Sequence, residues 1–262
     1  NDAESTTPIW HVNFGTPANM HSTNFGCLDI NGQMGTIGTP VIDKARGVVY
    51  VVALTQVRPD AAGLGAGYTQ RLHELDIATG ADLPESPVVI KADGFNALMQ
   101  NQRPALMLAN GMVYVGDNLQ DRLYEINLQT GAYTVYRVPP QSGDVLGGLL
   151  AGRLRDFPKH ETYQGIHSLV EAPRDGHIFL TPSYQRRLLE FDPKTKRFTA
   201  HEMNTGFYPH TVRMDAKDRV WFTLALSNQV AMFDRATQKF TNYDLPFRSF
   251  LEKLTVRLTP FF

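Results

Sequence analysis

The strongest constraint on the fold is a pattern that occurs twice in the second half of this 262-residue chain. Residues 165–199 and 208–241 share the same order of strand-like runs and turn residues, and 42 residues separate Asp192 from the matching Asp234. A period of this length, made only of short alternating runs and turns, is typical of a β-propeller blade. We therefore predict an all-β propeller built from four-stranded blades.

Two earlier stretches follow the same plan, so the chain divides into four units. The predicted units cover residues 36–90, 103–138, 165–203 and 208–246. Each unit contains an Asp or Asn followed three residues later by Thr, a pattern that predicts a tight turn between two antiparallel strands. These turn residues are Asp76, Asn127, Asp192 and Asp234.

The four units leave two ends and one insertion unassigned. Residues 9–14 and residues near 254–258 resemble strands, so we predict a single five-bladed propeller domain over residues 1–262, closed by strands from both termini. A longer parent chain would favour six or seven blades. The insertion at residues 139–164 has leucines at roughly helical spacing, interrupted by glycines. It predicts a helical or irregular flap on one rim, and secondarily a lid.

Composition excludes several classes of protein. The chain has 25 basic and 26 acidic residues, which does not predict a nucleic-acid partner. No run reaches the roughly 18 apolar residues of a membrane span. The single cysteine, Cys27, excludes an intramolecular disulfide framework and a zinc cluster. Without an initiator Met, the first residues suggest a processed chain exported to the periplasm or secreted.

Inner blade strands begin near a central channel, so residues at the same point of each unit should form a ring. Counting back from the aromatic residue of each second strand gives Thr39, Arg103, His167 and His210. One arginine and two imidazoles around a narrow mouth favour binding of an anion. Alternatively, the histidines serve only the structure, by bonding to strand ends or channel water.

Two family resemblances follow from short motifs. The second half resembles streptogramin (virginiamycin B) lyase-like propellers through Tyr-Pro-His at 208–210, Val-Trp-Phe-Thr at 220–223 and the run 233–240. The first half resembles propellers with pyrroloquinoline-quinone-type repeats, through residues 38–43 and 75–80. That repeat's usual Trp after Thr-Gly is missing here, so no quinone site is implied.

The lyase resemblance implies a catalytic pair and a metal ion. In those lyases a histidine at the position of His210 works with a glutamate at the end of the next strand and with magnesium. Here the matching position is Leu224, and unit three has Pro182 there; unit two keeps a carboxylate, Asp117. A divalent cation therefore rests on the resemblance alone, and we predict no metal ligands. Asp117 with His210 across the channel is the catalytic candidate.

Three hypotheses about function remain open. The first is an exported propeller that binds a small anionic molecule or a partner protein at the channel mouth or rim, without established catalysis. The second is a lyase or hydrolase of the streptogramin-lyase type with an altered acid partner. The third is an assembly module that docks on another chain through the flap at 139–164.

Overall fold

Strands dominate the fold. The structure is a computed structural model that describes residues 7–20, 32–58, 67–91, 95–98, 106–109, 111–117, 121–140, 164–247 and 249–258. These residues form five antiparallel sheets, four of them with four strands and one with two. The prediction of an all-β propeller with four-stranded blades is confirmed.

Blades one and two come from the first half of the chain, and each is a meander of four neighbouring strands. Blade one contains β3 (Val41–Asp43), β4 (Val48–Gln56), β5 (Tyr68–Asp76) and β6 (Val88–Ile90). Blade two contains β7 (Met107–Ala109), β8 (Met112–Asp117), β9 (Arg122–Asn127) and β10 (Tyr133–Arg137).

Blades three and four come from the doubled pattern. Blade three contains β11 (Ile166–Glu171), β12 (Ile178–Pro182), β13 (Arg187–Asp192) and β14 (Arg197–Glu202). Blade four contains β15 (Pro209–Met214), β16 (Arg219–Leu224), β17 (Gln229–Asp234) and β18 (Lys239–Asp244). The two-stranded sheet pairs β1 (Ala18–Met20) with β2 (Gly32–Met34).

The hydrophobic cores lie between successive blades. Side chains alternate along each strand, so one face of a blade packs on the blade before it and the other on the blade after it. Between blades three and four, Phe179 of β12 packs with Phe222 and Phe233 of blade four, and all three are buried. The first strands β3, β7, β11 and β15 contact one another in that order, so they line the centre.

The predicted turn chemistry is present at all four positions. In the first turn, the Asp76 carboxylate accepts hydrogen bonds from the Thr79 backbone N–H at 2.8 Å and the Thr79 hydroxyl at 2.9 Å. Those bonds from Thr79 hold the pKa of Asp76 below its usual value. Asn127, Asp192 and Asp234 accept equivalent bonds from the residues that follow them. Each turn connects the third and fourth strands of its blade.

The prediction that residues 9–14 supply a strand is wrong. These residues have no assigned strand, and two of their side chains lie against blade one. The Trp10 indole donates to the Ile77 carbonyl at 2.9 Å, and the Phe14 ring lies 4.3 Å from the ring of His73. Their apolar side chains cover the blade without a neighbouring strand to complete a backbone ladder.

The prediction of a closing strand near 254–258 is also wrong, because these residues belong to helix α1 (Phe250–Leu258). Ser249 caps this helix by accepting a hydrogen bond from the Glu252 N–H at 3.1 Å. The fifth sheet is the two-stranded β1–β2 sheet, and strands from both termini do not close the ring in the described residues. Residues 141–163 of the predicted flap lie outside those residues.

Candidate functional site

His167 and His210 occupy equivalent positions in blades three and four. In blade three the strand pairing passes from Ile166 to Ser168 with a register shift, which leaves His167 between them. In blade four the shift falls between Pro209 and Val212, so it includes His210. Such β-bulges bend a strand and redirect a side chain, and they are frequent beside functional sites.

The structure brings these two histidines together. Their ring centroids are 3.4 Å apart, with an angle of 33° between the ring planes, and both side chains are half-buried. The contact is possible because β11 and β15 are neighbouring first strands. The register derived from the sequence therefore placed these two residues side by side, while their function stays a prediction.

Two threonines that the sequence reasoning missed support the bulges. The Thr181 hydroxyl accepts a hydrogen bond from the Ser168 N–H at 3.1 Å, and the Thr223 hydroxyl accepts the equivalent bond from Thr211 at 3.2 Å. Each threonine satisfies a backbone donor at the bulge. The sequence could have identified these two threonines, because each stands two positions after the aromatic residue that sets the register, Phe179 or Trp221.

Blade three also holds the backbone of blade four at His210. The Thr181 hydroxyl donates to the His210 carbonyl at 2.5 Å, and the Ser183 hydroxyl donates to the Pro209 carbonyl at 2.8 Å. Thr181 and Ser183 are completely buried. Thr181 thus connects the bulge of its own blade to the bulge of the next, which fixes the two histidines relative to each other.

The other two predicted ring residues are Thr39 and Arg103. Thr39 is exposed, two residues before β3, and its carbonyl accepts a hydrogen bond from Leu106 at 3.0 Å, which joins blades one and two. Arg103 lies outside the described residues. The structure therefore gives no geometry for the arginine in the predicted ring.

Asp117 is buried at the end of β8, within its own blade. Burial, and then the Asp117 carboxylate, raise the pKa of the nearby Tyr124 hydroxyl. Catalysis by Asp117 together with His210 stays a prediction. In the streptogramin lyases that the second half resembles, a glutamate is expected at the position of Leu224 in blade four and Pro182 in blade three. Both of these apolar residues are buried, and each pairs with the first residue of the inner strand of its blade.

A magnesium ion does not fit this site. Magnesium is usually held through carboxylates. The described residues beside His210 offer a second imidazole and the Thr211 hydroxyl, and the buried Leu224 stands where the lyase resemblance implies a carboxylate. Within the described ranges there is no group of three or more His, Cys, Asp or Glu side chains arranged to hold a metal ion.

Among the described residues, no helix combines the length and apolar character needed to cross a membrane.

Comparison with known proteins identifies similar solved structures, which show the fold. No family model and no curated protein matches the chain. A catalytically inactive His-to-Ala variant of virginiamycin B lyase from Staphylococcus aureus, solved with quinupristin, matches with a TM-score of 0.54 at 13% identity over 89% of this chain. The chain has a streptogramin-lyase-like β-propeller fold.

Other solved propellers match equally well. A streptogramin B lyase matches with a TM-score of 0.54 at 17% identity over 82% of this chain, and the WD40 repeats of RRP9 match with a TM-score of 0.54 at 6% identity over 82%. The chain spans 60%, 56% and 52% of these three chains, in the order given. Identities this low show the fold alone. The resemblance of the first half to pyrroloquinoline-quinone-type repeats stays a prediction.

Proposed function

We propose that this propeller binds a small anionic molecule at the channel mouth, where blades three and four present His167 and His210. The observation that supports the proposal is the contact of the two half-buried imidazole rings, 3.4 Å between centroids, from equivalent bulges. Two imidazolium charges this close would repel each other, and a bound anion would offset that repulsion. Thr39 and Arg103 join the proposed site through the sequence register.

Rigid support favours binding over a purely structural role for the pair. Thr181 fixes both bulges, so the rings are held in place before any ligand arrives. A preorganised site loses less conformational entropy on binding.

Isothermal titration calorimetry with inorganic phosphate and acetate, at pH 6 and pH 8, tests the proposal. We expect His210→Gln to weaken binding about 10-fold or more, because it removes a charge-assisted hydrogen bond. His167→Gln should weaken binding less, because the His167 ring nitrogens are buried and act on the anion only through their charge. We also expect acetate, whose charge is the same at both pH values, to bind more tightly at pH 6, where imidazoles carry more charge. His11→Gln, at an exposed position outside the blades, is the matched control. Absence of anion binding, or equal weakening by His11→Gln, would contradict the proposal.

A lyase or hydrolase is the second candidate. It is supported by the fold shared with a lyase that a His-to-Ala substitution inactivates, and by the family resemblance that places such a histidine at His210. Incubation with quinupristin, followed by mass spectrometry, tests it. We expect an opened product that is lost in His210→Ala and in Asp117→Asn. Opening of the lactone by elimination gives an isomer of the same mass, whereas hydrolysis adds one water. A product with unchanged mass, chromatographic retention and fragmentation would therefore exclude both activities on quinupristin, while anion binding could still be present.

Docking through the 139–164 flap stays a prediction, because residues 141–163 lie outside the described part of the chain.

A further inference from the structure

The proposed anion site lies at one end of a row of aromatic rings. Tyr208 stacks beside His210 at a centroid distance of 6.0 Å with 22° between the planes, and Tyr184 meets Tyr208 edge to face at 6.1 Å. Phe207 also contacts Tyr208 edge to face, at 6.3 Å. All of these rings are half-buried, so each keeps some surface open to solvent. The row thus continues the histidine pair with an accessible aromatic surface.

Tyr208 holds its place in this row in an unfavourable backbone conformation. Its φ is +64°, in the left-handed region that bulky residues rarely adopt. The equivalent residue of blade three is Gly165, whose φ is also +64°. The equivalence is exact in hydrogen bonding too, because the Gly165 carbonyl accepts from Ser183 at 2.9 Å and the Tyr208 carbonyl accepts from Ala225 at 3.0 Å.

The repeat therefore requires a left-handed residue here, and blade four fills the position with tyrosine instead of glycine. Strained residues of this kind persist where the surroundings fix them, and they concentrate at ligand sites. The strain at Tyr208 places a phenol ring beside the imidazole of His210. A glycine would have satisfied the backbone and left the row without this ring.

Blade three contributes its tyrosine from a different position. A Cβ atom at Gly165 would lie 2.5 Å from the Tyr184 ring, so the glycine leaves the space that this ring occupies. Tyr184 follows β12, whereas Tyr208 precedes β15. Blades three and four thus each contribute a tyrosine to the row, but from different positions in the repeat. Duplication of one structural residue would instead place the two tyrosines at the same position.

From this arrangement we infer that the anion is an aryl carboxylate, a flat aromatic ring that bears a carboxylate group. This inference rests on the proposed function. The carboxylate accepts a hydrogen bond from the imidazole of His210, the ring of His167 with its buried nitrogens packs against His210, and the aromatic ring of the ligand packs against Tyr208 and Tyr184. Aromatic pairs favour offset or edge-to-face packing at centroid distances of about 4.5–7 Å, the range already found within the row.

Three small ligands of similar size test the inference by isothermal titration calorimetry. Benzoate has both the ring and the charge, cyclohexanecarboxylate has the charge without aromaticity, and benzamide has the ring without the charge. We expect benzoate to bind about 3- to 10-fold more tightly than cyclohexanecarboxylate, the range that one aromatic contact supplies. We expect benzamide to bind more weakly than either carboxylate.

The outcomes separate this inference from the proposed function. Equal binding of benzoate and cyclohexanecarboxylate would overturn the aryl preference and leave the anion site standing. Benzamide binding as tightly as benzoate would overturn the anion site. Binding of none of the three would overturn both, because the aryl carboxylate needs the same histidines.

Tyr208→Gly shows whether the strained residue serves the ligand. Since glycine adopts a positive φ readily, we expect an unchanged or higher midpoint of urea unfolding. We also expect the ratio of benzoate to cyclohexanecarboxylate affinity to fall to about one. Tyr243→Ala, an exposed tyrosine on the far strand of blade four, should leave that ratio unchanged. A ratio that survives in both Tyr208→Gly and Tyr184→Leu would refute the inference.

Discussion

Replacing Arg235 by methionine is expected to lower the free energy of unfolding by about 2–4 kcal/mol, because it removes the largely buried cation that joins carboxylates of blades three and four. Arg235 follows β17, and its guanidinium contacts Asp175 of blade three at 2.5 Å and Asp218 of blade four at 2.7 Å. It also lies 3.6 Å from Glu190. The Arg235 side chain is only 12% exposed, while Asp175 is 36% exposed, which reduces the expected loss below that of a fully buried pair.

Urea denaturation at pH 7 measures this loss, and Arg174→Met is the matched control. Arg174 approaches the same Asp218 at 3.5 Å, but its side chain is 77% exposed. Exposed ion pairs contribute about 0–1 kcal/mol, so the control should change stability by no more than that. Equal losses of unfolding free energy in the two variants would show that the ion pair between the blades contributes no more to stability than an exposed ion pair.

The difference in stability between the parent protein and Arg235→Met should disappear in acid. Burial alone would raise the pKa of Asp175, but the hydrogen bond from Arg235 holds it below the usual value. A carboxylate whose pKa is lower in the folded state stabilises the fold above its unfolded pKa, and this contribution is lost as the pH falls through the folded pKa. The stabilities of the parent protein and of Arg235→Met should therefore converge below about pH 4, the ordinary range for Asp.

Glu190 adds to the acid sensitivity of the same interface. Burial opposes its ionisation, but hydrogen bonds with His201 at 2.7 Å and His177 at 2.6 Å hold its pKa below the usual value. The sequence register did not select these two histidines as site residues. Their roles depend on pairing across β12, β13 and β14, which no local pattern reveals.

Local repetition explains why the histidine pair could be predicted. The repeat fixes the register of each blade, and equivalent residues of neighbouring inner strands must lie near each other. This reasoning placed His167 beside His210 but could not foresee the bulges, since a bulge depends on how β11 and β15 pair with their partners. The strained φ of Tyr208 was hidden for the same reason, although alignment of the two units sets it opposite Gly165.

The ends of the chain show where strand-like composition misleads. A short apolar segment becomes a strand only if another strand offers a free edge, and residues 9–14 instead cover a blade face with Trp10 and Phe14. At the other end, Ser249 and Glu252 form the Ser-x-x-Glu pattern that begins a helix. Apolar residues at positions 250, 251, 254 and 258 continue it at helical spacing. These helix signals determine the structure of residues 250–258, although the same residues also resemble a strand.

Replacing Phe222 by alanine is expected to cost about 3–5 kcal/mol, the range for a large aromatic residue removed from a packed core. Phe222 lies on β16, is 2% exposed and packs against blade three. The cavity would open in the core between blades three and four. Urea unfolding at pH 7 measures the cost.

The opposite face of the same blade provides the control and a second result. Tyr243 on β18 is 46% exposed and stacks on Trp221 at a centroid distance of 5.7 Å. Exposed side chains contribute little, so Tyr243→Ala should cost less than about 1 kcal/mol. In blade three the residue that matches Trp221 is Phe179, which blade four buries completely. A loss from Tyr243→Ala as large as that from Phe222→Ala would therefore mean that this face of blade four is also covered in solution.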